Sequence, residues 1–103
     1  MRKTVTEAIE YRRSVRKYLD TNLNEEKVKN CIKNATLAPN SSNMQLWEFY
    51  HITDKKVLKQ LSKACFNQNA AKTAVNMVVF VTRRDKWKVR AKQNLDFLEN
   101  MFN

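Results

Sequence analysis

The segment Arg12-Arg13-Ser14-Val15-Arg16-Lys17-Tyr18 places four cationic side chains and a serine hydroxyl within seven residues. No acidic residue stands between Glu10 and Asp20 to neutralise them. In an extended backbone Arg12, Ser14 and Arg16 project to one side, because side chains alternate with period two. In a helix Arg12 and Arg16 still share a face at i, i+4. Both geometries aim two guanidinium forks at one place, and such forks suit phosphate oxygens, which accept paired hydrogen bonds. The plainer alternative is a basic helix end solvated by water. A second polar stretch, Ala38 to Trp47 (APNSSNMQLW), holds the only proline of the chain. It reads as an exposed, hydrogen-bond-rich bend that runs straight into a buried aromatic, Trp47.

Other chemistries find little support. His51 lies among aromatics with no cysteine or carboxylate at ligand spacing, and reads as a structural or solvent-facing histidine. Ser41 and Ser42 lack the G-x-S-x-G context of a nucleophile elbow. Glu25 and Glu26 read as first-turn helix residues rather than a glycosidase pair. No catalytic side chain and no metal site is expected. Cys31 and Cys65 fall at apolar helical positions without CxxC spacing, which favours two buried free thiols in a cytosolic protein over a single disulfide or a metal site. The chain contains no glycine, against an average usage of about 7%. That excludes GxGxxG and the P-loop, where glycine lets the backbone approach phosphate.

The elements that must position these residues are readable from spacing. Thr4 and Glu7 have capping-box spacing ahead of Val5, Ala8 and Ile9, predicting a helix to about residue 12. Asn24 caps a second helix with Val28, Cys31, Ile32 and Ala35 on one stripe, stopped by Pro39. Leu46 to Ile52 reads as a strand. Asp54 caps a short helix with Val57, Leu58 and Leu61 on one face. Asn76 to Thr82 is an apolar run expected to be a central strand buried on both faces. Lys86 to about Phe102 is helical, with Trp87, Ala91, Leu95, Leu98 and Phe102 on one stripe. The order α-α-β-α-β-α describes a single domain over 1–103, and two strands alone make a marginal sheet.

Twenty Lys and Arg against ten Asp and Glu give a net charge of +10. An anionic partner is implied, or a solvated basic surface. The 43% hydrophobic content is that of a globular chain rather than a disordered tail. No apolar run is long enough to span a bilayer. The N-terminal MRKTVTEAIEY has no apolar core region of the kind a signal peptide needs. A small basic nucleic-acid-binding domain is one rival reading, carried by Arg83, Arg84, Lys86, Lys88, Arg90 and Lys92. Against it, the aromatics do not alternate with the cations, and Trp87 falls on the apolar stripe. A further rival is a remnant without activity that serves only as an interaction or structural piece.

RRSVRKY followed after a helix by APNSSNMQLW, and then by FNQNAAKTAVNMVVF (Phe66 to Phe80), resembles the nitroreductase family of FMN-dependent oxidoreductases. The resemblance spans nearly the whole chain. It implies an α+β fold with helices around a central, mainly antiparallel sheet, incomplete here. It also implies that Arg12, Ser14 and Arg16 hold the FMN phosphate and ribityl chain, with Arg13 beside them. Pro39, Asn40, Ser41 and Asn43 line the flavin across a dimer interface, and Asn67, or its neighbour Gln68, bonds the polar edge of the isoalloxazine. Asn40 stands where the family usually has serine, and Leu46 replaces a common second proline. The implied activity passes hydride from NAD(P)H through FMN to a nitroaromatic, a quinone or a similar acceptor, in a cytoplasmic homodimer. Neither nucleic acid nor a membrane is expected as a partner. Family members continue well beyond this length, so the chain is expected to be an N-terminal portion of such a protein.

Overall fold

The computed structural model describes residues 2–103. Helix α1 (Val5–Tyr11) starts where the capping box places it. The Glu7 amide donates to Thr4 Oγ1, and the Thr4 amide donates back to the Glu7 carboxylate at 2.7 Å. That backbone bond holds the Glu7 carboxyl below its usual range. Helix α2 (Glu25–Thr36) is capped by Asn24, whose Oδ1 accepts from the Glu26 amide at 2.8 Å. Lys29 pairs with Glu25 at 3.0 Å, which lowers the Glu25 carboxyl and raises the Lys29 ammonium. Helix α3 (Lys55–Ala64) starts at Asp54, whose Oδ1 accepts from the amides of Lys56 and Val57.

Strands β1 (Trp47–Ile52) and β2 (Met77–Thr82) pair antiparallel, with Trp47 opposite Thr82 and Ile52 opposite Met77. The period-two alternation of WEFYHI brings Phe49 opposite Phe80, and the two rings meet edge to face at 5.0 Å. Such a pair adds about 0.5–1.5 kcal/mol beyond the area it buries. The Arg83 amide donates to the Leu46 carbonyl at 2.9 Å and extends the ladder by one bond. Helix α4 (Asn69–Thr73) sits between α3 and β2. A 3₁₀ turn (Arg84–Lys86) then leads into α5 (Trp87–Phe102). The class is α+β, as expected, and the sequence reading missed α4.

Three expectations about burial are corrected. Cys31 and Cys65 are free but exposed, not buried. Helical spacing chooses a face but does not say what packs on it. Trp47 is half-buried rather than enclosed. β2, expected to be buried on both faces, is paired on one side only among the described residues. Its one strand neighbour among the described residues is β1, and Phe80 stays 71% exposed. The radius of gyration is 18.3 Å, where a compact chain of this length has about 13 Å. Among the described residues the core reduces to Leu58, 7% exposed, with Ser62 at 5% beside it on α3.

Five non-glycine residues have left-handed backbone: Ser42, Asn43, Gln45, Phe66 and Asn67. Three lie in the bend at residues 38–47, and Phe66 and Asn67 form the turn after α3. For Phe66, at φ 58° and 89% exposed, the conformation costs about 1–2 kcal/mol that glycine would avoid.

Candidate functional site

Arg12 begins an irregular segment where α1 ends, with φ −56° and ψ 143°. Neither of the two geometries weighed above holds throughout. Residues 12–19 are not helical, and a three-residue turn, in which the Val15 amide donates to the Arg13 carbonyl at 3.1 Å, breaks the alternation at Ser14. Arg12, Ser14 and Arg16 are exposed, and neither arginine has an ion-pair partner among the described residues. Arg13 is committed elsewhere. Its Nη1 donates to the carbonyls of Glu10 at 2.7 Å and Arg12 at 2.9 Å, and so covers the open end of α1.

The segment docks through its far end. The Tyr18 amide donates to Thr73 Oγ1 at 3.0 Å, although 55 residues separate the two. This bond joins the basic stretch to α4, immediately after the Phe66–Asn67 turn. Asn67 is fixed by its own amide, which donates to the Ser62 carbonyl at 2.9 Å. Its side chain stands 3.5 Å from Ser62 Oγ and remains exposed.

Pro39, Asn40, Ser41 and Asn43 form a separate loop around a 3₁₀ turn (Ser41–Asn43). Asn40 Oδ1 accepts from the Gln45 amide at 2.8 Å and closes the bend. Asn94 of α5 donates to the Ser42 carbonyl and pins the loop to that helix. Sequence reading gave Asn94 no part in the site. A groove of about 610 Å³ gathers Tyr18, Ser62, Asn67 and Thr73, but none of Arg12, Ser14, Arg16 or the residues of the Pro39 loop. The expected site residues therefore fall in two places. Tyr18, at the end of the basic segment, meets Thr73 of α4 beside the Asn67 groove, and the Pro39 loop is held by α5.

The basic cluster at 83–92 changes character. Arg83 donates to the Glu48 carboxylate and grips Asp85 through Nε at 3.0 Å and Nη2 at 2.8 Å. Tyr50 donates to the other Glu48 oxygen at 2.9 Å, which pushes the Tyr50 hydroxyl up. Arg83 thus locks the strand pair rather than offering free charge. The Trp87 ring, expected in an apolar stripe, is 51% exposed with the Lys88 ammonium 5.7 Å from its centroid. His51 Nε2 shares a 2.6 Å hydrogen bond with Asn76 Oδ1 and ties β1 to the start of β2, the structural role read for it.

The Arg83 fork holds the Asp85 carboxyl down at about 2, from an ordinary 3.8. A depressed carboxyl stabilises the fold above its unfolded value and loses that contribution as pH falls through the folded one. Stability measured by thermal melting should therefore fall between about pH 4 and pH 2, and Asp85→Asn should flatten that part of the curve. Salt should weaken the effect, since the pair faces solvent.

No group of three or more His, Cys, Asp or Glu side chains stands together as a metal site among the described residues. No helix among the described residues is long and apolar enough to cross a membrane.

This α+β arrangement is a known one. The Nitroreductase family model matches residues 9–100, and the chain belongs to the nitroreductase family. A curated relative from Archaeoglobus fulgidus, provisionally named an NADH dehydrogenase/NAD(P)H nitroreductase, is 36% identical over 69 residues, 66% of this chain and 40% of its own. Among solved structures, Bacillus megaterium NfrA2 superposes with a TM-score of 0.75 at 28% identity, over 86% of this chain and 36% of that one. A provisionally named nitroreductase of Exiguobacterium sibiricum, solved in complex with FMN, gives a TM-score of 0.71 at 24% identity. That likeness covers 99% of this chain and 58% of its neighbour, and shows the fold alone. The chain thus spans well under two thirds of the length of each of these relatives.

Proposed function

We propose that this chain serves an FMN-dependent oxidoreductase that passes hydride from NAD(P)H to a nitroaromatic, a quinone or a similar acceptor. It would act as a cytoplasmic homodimer with its flavin sites at the interface. The observation that carries the reading is the docking of Tyr18 on Thr73. It ties the end of the segment that carries Arg12 and Arg16 to α4, the helix that follows Asn67 in the chain.

The donor chemistry suits the flavin. Arg12 and Arg16 supply charge-assisted hydrogen bonds for a phosphate, with the Ser14 hydroxyl between them. Asn67 carries both a donor and an acceptor for the polar edge of the ring. Pro39, Asn40, Ser41 and Asn43 would approach from the second subunit. Arg13 is assigned to α1 rather than to the phosphate. FMN, when bound, supplies the hydride-accepting and hydride-donating chemistry. The residues of this chain bind it, orient it and set the local charge. The same fold holds FMN in the E. sibiricum structure, which supports the reading at the level of architecture.

The test is an absorption spectrum of the purified chain with FMN added, followed by gel filtration. Flavin bands that travel with protein at a dimer's volume support the proposal. A colourless protein at saturating FMN would overturn it for this chain and leave the family membership intact.

A further inference from the structure

The groove beside Asn67 has a second character that the flavin reading leaves unused. Lys55, Lys59 and Lys63 follow one another at i, i+4 and i+8 along α3, and all three line it. At 1.5 Å rise per residue, successive ammonium groups start about 6 Å apart, and the row covers about 12 Å. Lys72 of α4 lines the same groove. None of the four lysines has an ion-pair partner among the described residues. One carboxylate, Asp20, shares the lining, so the groove is positive on balance. Four like charges around one concavity repel one another, and a bound polyanion relieves that repulsion.

The remaining surface is that of a small-molecule site. The volume of about 610 Å³ lies inside the roughly 300–1,000 Å³ range of ligand pockets. Leu58 and Val75 give apolar floor, and the Tyr18 ring offers a flat face. Lysines for phosphates, an aromatic and aliphatic floor for a base, and a carboxylate able to accept from ribose hydroxyls together describe a phosphorylated nucleotide. A single phosphate would use one or two of the lysines. A row of about 12 Å calls for phosphate groups at two separated points on the ligand.

We propose that this groove binds an adenine nucleotide carrying two separated phosphates, the ribose-phosphate half of NADPH. The inference rests on the reading of Asn67 as a flavin contact. Asn67 shares the lining of the groove, so a donor lying along α3 would present its nicotinamide end to the flavin side. It follows that the protein favours NADPH over NADH, since the second phosphate has lysines waiting for it.

The experiment is calorimetric titration of the whole chain with adenosine 2′,5′-bisphosphate, with AMP and with inorganic pyrophosphate, without and with FMN. The expected result is binding of the bisphosphate at least about tenfold tighter than AMP, since one charge-assisted hydrogen bond is worth about 1.5–3 kcal/mol. Lys59→Glu with Lys63→Glu should weaken the bisphosphate by at least about tenfold and leave FMN affinity unchanged. Circular dichroism of the double variant checks that α3 survives. Equal affinity for AMP and the bisphosphate, or no effect of the double variant, would overturn the proposal. So would pyrophosphate binding as tightly as the bisphosphate, because the groove would then be a bare anion site. Competition between the bisphosphate and FMN would overturn it as well, by assigning the groove to the flavin. Failure of the flavin reading shows separately, as loss of FMN binding with bisphosphate binding retained.

Discussion

An Arg12→Ala, Arg16→Ala double variant is expected to bind FMN at least about a hundredfold more weakly than the parent chain. Each guanidinium would contribute charge-assisted bonds to one phosphate, and each such bond is worth about 1.5–3 kcal/mol, or roughly tenfold or more in affinity. Neither arginine has another ion-pair partner to lose among the described residues, so the substitutions should leave the fold intact. Flavin fluorescence titration measures the effect directly. Arg13→Ala is the internal control. Its guanidinium covers carbonyls at the end of α1, so the loss should appear as a lower melting temperature with FMN affinity nearly unchanged. If Arg13→Ala weakens FMN as much as the double variant, the division of labour drawn here is wrong.

Leu58→Ala carries the second large effect. Leu58 is the one apolar residue classed as buried among those described. Truncating a buried leucine costs about 2–5 kcal/mol, the low end applying where the surroundings can collapse. About 2 kcal/mol is expected here, because the neighbouring groove leaves room for relaxation. Small domains hold only about 5–15 kcal/mol in total, so a shift of that size in a urea midpoint is easily read. Val57→Ala, one residue along but exposed, should cost under about 1 kcal/mol. Ser62, buried one turn after Leu58 and near the Asn67 side chain, links this small core to the site. Loss of Leu58 should therefore loosen Asn67 as well as α3.

The helix starts were readable because capping is local. Thr4, Asn24 and Asp54 each bond an amide two or three residues on, and nothing distant is needed to see it. Helix α4 escaped because NAAKT has no apolar stripe and its leading Gln68 makes no side-chain cap. Burial was less legible. Spacing told which faces of α2, α3 and α5 are apolar, but not what packs on them, so Cys31, Cys65 and Trp87 were placed inside and stand exposed. Arg83 looked like free charge because Glu48 lies 35 residues earlier, and only the strand register brings the two together. The left-handed residues Ser42, Asn43, Gln45, Phe66 and Asn67 lack the usual marker. In a chain without glycine, polar residues and one phenylalanine take conformations that glycine normally announces.

The strand pair has a consequence for the behaviour of the protein as a solute. β2 is six residues long, MVVFVT, without a charge, and its side away from β1 has no strand partner among the described residues. Uncharged β-branched and aromatic segments with an open edge are templates for self-association, and natural chains bracket them with charges. Arg83 and Arg84 follow this strand directly. The overall charge of +10 adds repulsion between molecules. That repulsion reaches only about 8 Å at physiological ionic strength. Colloidal stability in this chain is thus an electrostatic property that added salt erodes, whereas Arg84, which has no ion-pair partner among the described residues, acts at contact and keeps its effect.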